Sequence, residues 1–203
     1  MCRHVAYLGP PVPLRSVLID PPSGLYRQSW APRMQLHGTV NADPVPARYR
    51  RAVPIWGDQS LPDLARVTRS GAVLAAVRNA TPGTALGEPA VAPFASGPWL
   101  FSHNGVMPSW AEHAAAAMNG SLFTDMEAMV DSAFLWALVL QRLRAGDAPD
   151  IALAATIGSL EASGGSGRFN FLLTDGRSME VNGHRSLPAE RSAAGPSPRT
   201  ARR

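Results

Sequence analysis

The sequence has one cysteine, Cys2, and no lysine at all. A single thiol excludes an internal disulfide framework and any cysteine-rich zinc site. Long hydrophobic runs are also missing. The longest uninterrupted one, Ala133 to Leu140, falls far short of the roughly 20 residues that span a bilayer. No charged start followed by a hydrophobic stretch opens the chain, so no secretory signal is expected and the chain reads as cytoplasmic. An excess of charge is absent from most of the length. The net +4 lies within residues 177–203, where six arginines face two acids, and residues 1–176 balance to zero. A nucleic-acid footprint needs basic residues clustered on a folded face. Neither a nucleic acid nor a membrane is therefore expected as a partner. The all-arginine basic set, with abundant Ala, Gly and Pro, reads as genome composition.

What is present is enough to fold. Of 203 residues, 45% are hydrophobic and 17% charged, which suits one domain with a real core. Val5 to Leu8 reads as a strand, and Leu14 to Ile19, bounded by prolines, as a short helix or turn. Residues 47–55 read as an edge strand, because Pro54 would break a central one. Ser60, with Asp63 three residues on, reads as the cap of a helix carrying Leu61, Leu64 and Val67. Ala72 to Val77 and Pro98 to Ser102 read as strands. Ser109 and Glu112 read as a capping box before an alanine run. The strongest helix is expected over 126–144 and a second over 147–160, ended by the Gly-rich segment 164–167. Arg168 to Thr174 reads as a strand closed by an Asp175-Gly176 turn. The expected division is a domain over 1–176 and a basic low-complexity tail over 177–203, disordered at least from 184. Strands flanking paired helices indicate a layered α/β or α+β domain.

Four features carry chemistry. Cys2 directly follows the initiator Met1. Removal of Met1 would leave a thiol and an α-amine on one residue. An unperturbed α-amine titrates at roughly 7.7–8.0 and a free thiol at about 8.5, so the amine is a base suited to take the thiol proton. An accidental cysteine is the plain alternative. Asn104-Gly105, in Phe101-Ser102-His103-Asn104-Gly105, is either a tight hairpin turn or a pair of oxyanion donors, the Asn104 amide and the Gly105 N–H. Arg78 is either a solvated strand end or a bidentate clamp for a carboxylate. Asp131, near a helix start, either complements the helix dipole or binds an ammonium. Arg78 and Asp131 together would recognise a free α-amino-acid head. His4, His37 and His103 fit no common metal-site spacing and read as polar contacts near the cleft or surface.

In this order the four features resemble the class II glutamine amidotransferases, which are N-terminal-nucleophile hydrolases. The sequence is most like their γ-glutamyl hercynylcysteine sulfoxide hydrolase branch, of ergothioneine biosynthesis. The segments Met1-Cys2-Arg3-His4, Ala6-Tyr7-Leu8-Gly9, Arg27-Gln28-Ser29-Trp30-Ala31-Pro32-Arg33, His37-Gly38-Thr39-Val40-Asn41-Ala42-Asp43 and Pro54-Ile55-Trp56 carry that likeness, over about residues 1–176. The resemblance implies an α+β fold, an αββα four-layer sandwich. It implies Cys2 as nucleophile and base, forming a thioester, with Asn104 and Gly105 as the oxyanion hole. Arg78 and Thr81 would hold the glutamate carboxylate and Asp131 its ammonium. The substrate would be a small γ-glutamyl molecule, with no metal or organic cofactor. Trp30 is either core or a neighbour of a trimethylammonium group. Two departures stand out. The Gly-rich aromatic strand that follows Asn-Ala-Asp in the family is replaced by Pro44-Val45-Pro46, and the strands after Gly176 are replaced by the tail. Both predict an incomplete sandwich with an unpaired edge. A glutaminase subunit of an ammonia-transferring enzyme and an inactive truncated remnant remain as alternatives.

Overall fold

The computed structural model describes residues 2–29, 35–41, 46–79, 85–117 and 120–186. Two antiparallel four-stranded sheets lie face to face between two helical layers, as the αββα expectation requires. The first sheet has the order β1 (Arg3–Pro13), β4 (Arg69–Asn79), β2 (Gln35–Asn41), β3 (Ala47–Arg51). The second is a meander of β5 (Phe94–Ser96), β6 (Trp99–His103), β7 (Gly167–Thr174) and β8 (Met179–Ser186). Strand periodicity sends alternate residues to opposite faces. In β4, Val73, Ala75 and Val77 pack outward under α1 (Arg15–Leu18), α2 (Leu25–Gln28) and α3 (Leu61–Val67), against Leu18, Leu25, Leu61 and Ala65. Leu74 of the same strand faces inward and meets Leu100 and Leu172 of the second sheet, with Ala6 and Ala95 beside them.

The largest core lies on the far side of the second sheet. There Phe101, Phe169, Phe171 and Leu173 pack against α6 (Asp131–Ala145) and α7 (Pro149–Ala162). Phe101 stacks on Trp136 at 5.4 Å between ring centroids. The smaller α4 (Trp110–Ala117) and α5 (Gly120–Asp125) join the same layer. α6 is apolar almost all round, with Ala133, Phe134, Leu135, Trp136, Ala137, Val139 and Leu140 all buried, as befits a helix inside a layer. It ends at Gly146, whose φ of 97° is the left-handed value that favours glycine. Its N–H bonds the Leu143 carbonyl, and the Asp147 N–H bonds Arg142. Among the described residues no helix is long and apolar enough to cross a membrane.

Four sequence expectations change. The helix expected over 126–144 starts at Asp131, because Val130 is extended (φ −142°, ψ 153°) and Met129 points to solvent. Ser60 does not cap α3. Its own backbone is already helical, and Asp58 turns the chain instead, its Oδ1 accepting the Ser60 N–H at 3.0 Å. The chain after Gly176 also continues the sheet. β8 pairs along the whole of β7, so the second sheet extends to Ser186, ten residues past the expected boundary at 176. Backbone pairing drives this strand, since its Val181 side chain is exposed. The rest of the expected tail, 187–203, lies outside the described residues. Of the strand expected over 47–55 only 47–51 pairs, as edge strand β3, and Pro54 leads instead into a 3-10 turn over 55–57. β1 is the other edge of the first sheet. Among the described residues no strand pairs on its far side, and Pro10, Pro11 and Pro13 blunt that edge.

Candidate active site

The two sheets meet at their ends through a hydrogen bond. His4 Nδ1 of β1 lies 3.2 Å from Ser102 Oγ of β6, and Ser102 is fully buried. Two residues further into the sandwich, Ala6 and Leu100 share the layer between the sheets. The strands therefore run in opposite directions across the gap. The same two-residue step the other way brings Cys2 and Asn104 to one end. Arg78 arrives there too. β1 pairs with β4 at Arg3 and Val77, and the next step of that antiparallel register is Cys2 beside Arg78. Burial lowers the Arg78 guanidinium below its ordinary range, and the nearby Cys2 and Asp131 pull it back up. One guanidinium nitrogen donates to the Ala85 carbonyl at 2.7 Å.

Asn104-Gly105 is not a hairpin turn. Pairing with β7 continues past it in one register: His103 is opposite Phe171, the Asn104 N–H bonds the Asn170 carbonyl at 2.9 Å, and Val106 and Arg168 exchange both bonds. Gly105 therefore occupies a position whose N–H points away from β7. Neither that N–H nor the Asn104 side-chain amide has a hydrogen-bond partner among the described residues. Gly105 must be glycine for lack of space. A Cβ would sit 2.8 Å from the Arg168 carbonyl carbon, and closer still to its oxygen and to His103 Nε2.

Asp131 opens α6 and is held at both oxygens. Oδ1 accepts the Ser132 N–H at 2.8 Å, and Oδ2 accepts the Met107 N–H at 3.1 Å. A carboxylate offers about four acceptor sites, so capacity remains for a further donor. The place of Asp131 at the helix start therefore does not use up the carboxylate's capacity to accept. The structure brings Cys2, Arg78, Asn104, Gly105 and Asp131 to one end of the sandwich. Thr81 and Trp30 lie outside the described residues, and His37 falls in β2.

The sequence reading gave no specific role to the histidines here. His4, half-buried and near His103, is lowered to a pKa of about 4 by burial first and by that neighbour second. His103 is buried between Phe169 and Phe171, and burial lowers its basicity too. Their positions, two residues after Cys2 and directly before Asn104, were the available signal. Among the described residues no group of three His, Cys, Asp or Glu side chains is arranged to hold a metal ion. A cavity of about 790 Å³ lies elsewhere, between α4, α6 and α7, and none of these site residues lines it.

A four-layer sandwich of two facing antiparallel sheets, with a cysteine immediately before its first strand, is the architecture of the N-terminal-nucleophile hydrolase class. The family profile described as Glutamine amidotransferases class-II matches residues 61–192, and the chain belongs to that family of amide hydrolases. It is 41% identical over 186 residues to a protein of Mycolicibacterium smegmatis named gamma-glutamyl-hercynylcysteine sulfoxide hydrolase, covering 87% of this chain and 76% of that one. A protein of the same name from Mycobacterium tuberculosis is 39% identical, with 87% and 73% covered. Among solved structures, a glutamine aminotransferase class-II domain protein from Silicibacter pomeroyi superposes with a TM-score of 0.65 at 26% identity, over 91% of this chain and 77% of that one. The glutamine phosphoribosylpyrophosphate amidotransferase of B. subtilis shares the fold at TM-score 0.62 and 15% identity, over 90% of this chain and 37% of that one.

Proposed function

We propose that this chain hydrolyses the γ-glutamyl amide of a hercynylcysteine sulfoxide conjugate, a step of ergothioneine biosynthesis, releasing glutamate. The observation that carries the reading is a pair of donors, the Asn104 amide and the Gly105 N–H, that have no partner among the described residues and lie at the same end of the sandwich as Cys2. The names of the two mycobacterial relatives supply the substrate.

With Met1 removed, the Cys2 α-amine takes the thiol proton and the sulfur attacks the γ-carbonyl carbon. The carbonyl oxygen becomes an oxyanion and accepts hydrogen bonds from Asn104 and Gly105. One such donor is worth about 10²–10³ in rate. The C–N bond then breaks. The α-ammonium returns its proton to the leaving amine, and a thioester remains. Water, deprotonated by the α-amine, attacks the thioester carbon and frees glutamate and the thiol. Arg78 holds the substrate α-carboxylate, with Thr81 as its second contact, and Asp131 holds the ammonium. The acceptor half of the substrate carries the specificity that separates this reaction from glutamine hydrolysis.

The test is glutamate release from the γ-glutamyl conjugate and from glutamine, with intact-mass measurement of Met1 loss. The expected result is a higher kcat/KM for the conjugate, abolished in Cys2→Ala. Equal release by Cys2→Ala would refute the mechanism. Faster glutamine turnover would replace the substrate assignment with a glutaminase, and a protein with no cooperative melt would indicate an inactive remnant.

A further inference from the structure

His103 takes no part in the chemistry above, yet it touches both halves of the site. His103 is 5% exposed, and its ring sits between the end of β6 and the start of α6. Nε2 lies 2.9 Å from the Arg168 carbonyl oxygen, and Nδ1 lies 3.0 Å from Ser132 Oγ. A carbonyl only accepts, so Nε2 carries the ring proton. Burial keeps the ring neutral, and Nδ1 is then an acceptor for the Ser132 hydroxyl. That hydroxyl also lies 3.3 Å from Asp131 Oδ1, but its single proton is taken by Nδ1. Asp131 is left to the backbone N–H groups of Ser132 and Met107. At the other end, the Arg168 carbonyl that His103 holds also accepts the Val106 N–H at 3.2 Å and forms the wall against Gly105.

We propose that His103 is a positioning residue with two separable duties: Nε2 sets the Asn104-Gly105 oxyanion donors through the Arg168 carbonyl, and Nδ1 sets the Asp131 carboxylate through Ser132. This rests on the roles given to Asn104, Gly105 and Asp131 above. A ring locked at both nitrogens in a packed aromatic site ties two binding elements from different secondary structures to one rigid body. The α-ammonium pocket and the oxyanion pocket are then kept at a fixed separation, which a γ-glutamyl chain must match.

The two duties are distinguishable because glutamine and asparagine each replace one ring nitrogen. His103→Gln reaches the Nε2 position and keeps a donor for Arg168, but leaves the Ser132 hydroxyl without its acceptor. His103→Asn keeps a partner for Ser132 and releases Arg168. Steady-state kinetics are read on the γ-glutamyl substrate and on its analogue lacking the α-amine, with melting curves for each variant. For His103→Gln, KM on the amino substrate should rise about tenfold, the scale of a weakened bond to a charged group, with kcat nearly kept. KM on the deamino analogue should not move. For His103→Asn, kcat should fall about 10²-fold on both substrates, as for loss of an oxyanion donor. Ser132→Ala, which leaves the ring in place, should repeat the KM effect of His103→Gln. Equal losses of kcat and KM on both substrates for both His103 variants, or an unchanged KM in Ser132→Ala, would overturn the proposal. Asp131→Asn on the same two substrates separates this from the underlying reading. If it discriminates against the amino substrate while Ser132→Ala does not, only the His103 assignment fails. If it does not discriminate, the ammonium assignment fails and this arm of the proposal with it.

Discussion

Replacing Gly105 with alanine tests the geometry of the proposed oxyanion donors directly. The added Cβ would stand 2.8 Å from the Arg168 carbonyl carbon and nearer still to that carbonyl's oxygen and to His103 Nε2. None of these is the free end of a flexible side chain. The carbonyl is fixed by the Val106 N–H and by the imidazole, and the imidazole by Ser132. Relief must therefore come from moving backbone at the β6–β7 pairing. Overpacking of this kind costs about 1–3 kcal/mol, and a weakened bond at Arg168 about 1 more. For a domain of this length, a total of about 2–4 kcal/mol lowers the melting temperature by about 5–15 °C. The displaced Gly105 N–H should also remove about 10²–10³ of the rate of glutamate release. Thermal unfolding and a glutamate-release assay on the same preparation read both effects. Gly158→Ala is the control. Its site lies inside α7 with nothing within 4 Å, so it should gain about 0.5–1 kcal/mol and keep activity. A Gly105→Ala protein that melts and turns over like its parent would refute the claim that this position is closed to a side chain.

Two further outcomes follow from charge. The His4 ring titrates near 6.5 when unfolded and at about 4 when folded. Between those pH values the unfolded chain binds a proton that the folded one refuses. Stability therefore falls as pH drops through that window, by at most about 3 kcal/mol, and levels off below it. Denaturant unfolding at pH 7 and pH 4.5 should show a smaller fall for His4→Gln than for the parent, the remainder coming from His103, which burial shifts the same way. An identical fall in both proteins would sink this assignment. Glu127 bridges Arg48 at 2.6 Å and Arg50 at 2.8 Å, pinning edge strand β3 to the segment before α6. With Arg50 only 14% exposed, Glu127→Gln should cost about 1–3 kcal/mol, less at high salt. A loss below about 0.5 kcal/mol would mean the pair is a solvated surface contact.

Much of this architecture is legible along the chain. The apolar run over Ala72 to Val77 became the central part of β4, and Ala133 to Leu140 the buried heart of α6. Cys2, Arg78, Asn104, Gly105 and Asp131 were each singled out, each with a plain alternative that local sequence could not remove. What was not legible depends on distance in the chain. The contact of His103 with Ser132 spans 29 residues and that of Glu127 with Arg48 spans 79. Such pairs exist only after β6, α6 and β3 have been placed. β8 is illegible for a different reason. Its residues Met179 to Ser186 carry no alternating apolar face, and pairing with β7 is what makes them a strand. The start of α6 is not legible because apolar residues on either side of Val130 disguise a break that only its backbone angles reveal.

Among the described residues, the cluster that joins the two sheets is small: three buried leucines with two alanines beside them, against the many large side chains under α6 and α7. Cys2 leads into one sheet, and Asn104-Gly105 follow a strand of the other, so the proposed sulfur and oxyanion donors come from opposite sheets. The reactive distance is therefore a property of sheet spacing, governed by a handful of small side chains far from the mouth. Swapping Ala6 or Ala95 for a bulkier neighbour would act like a shim, prising apart two half-sites that each remain intact.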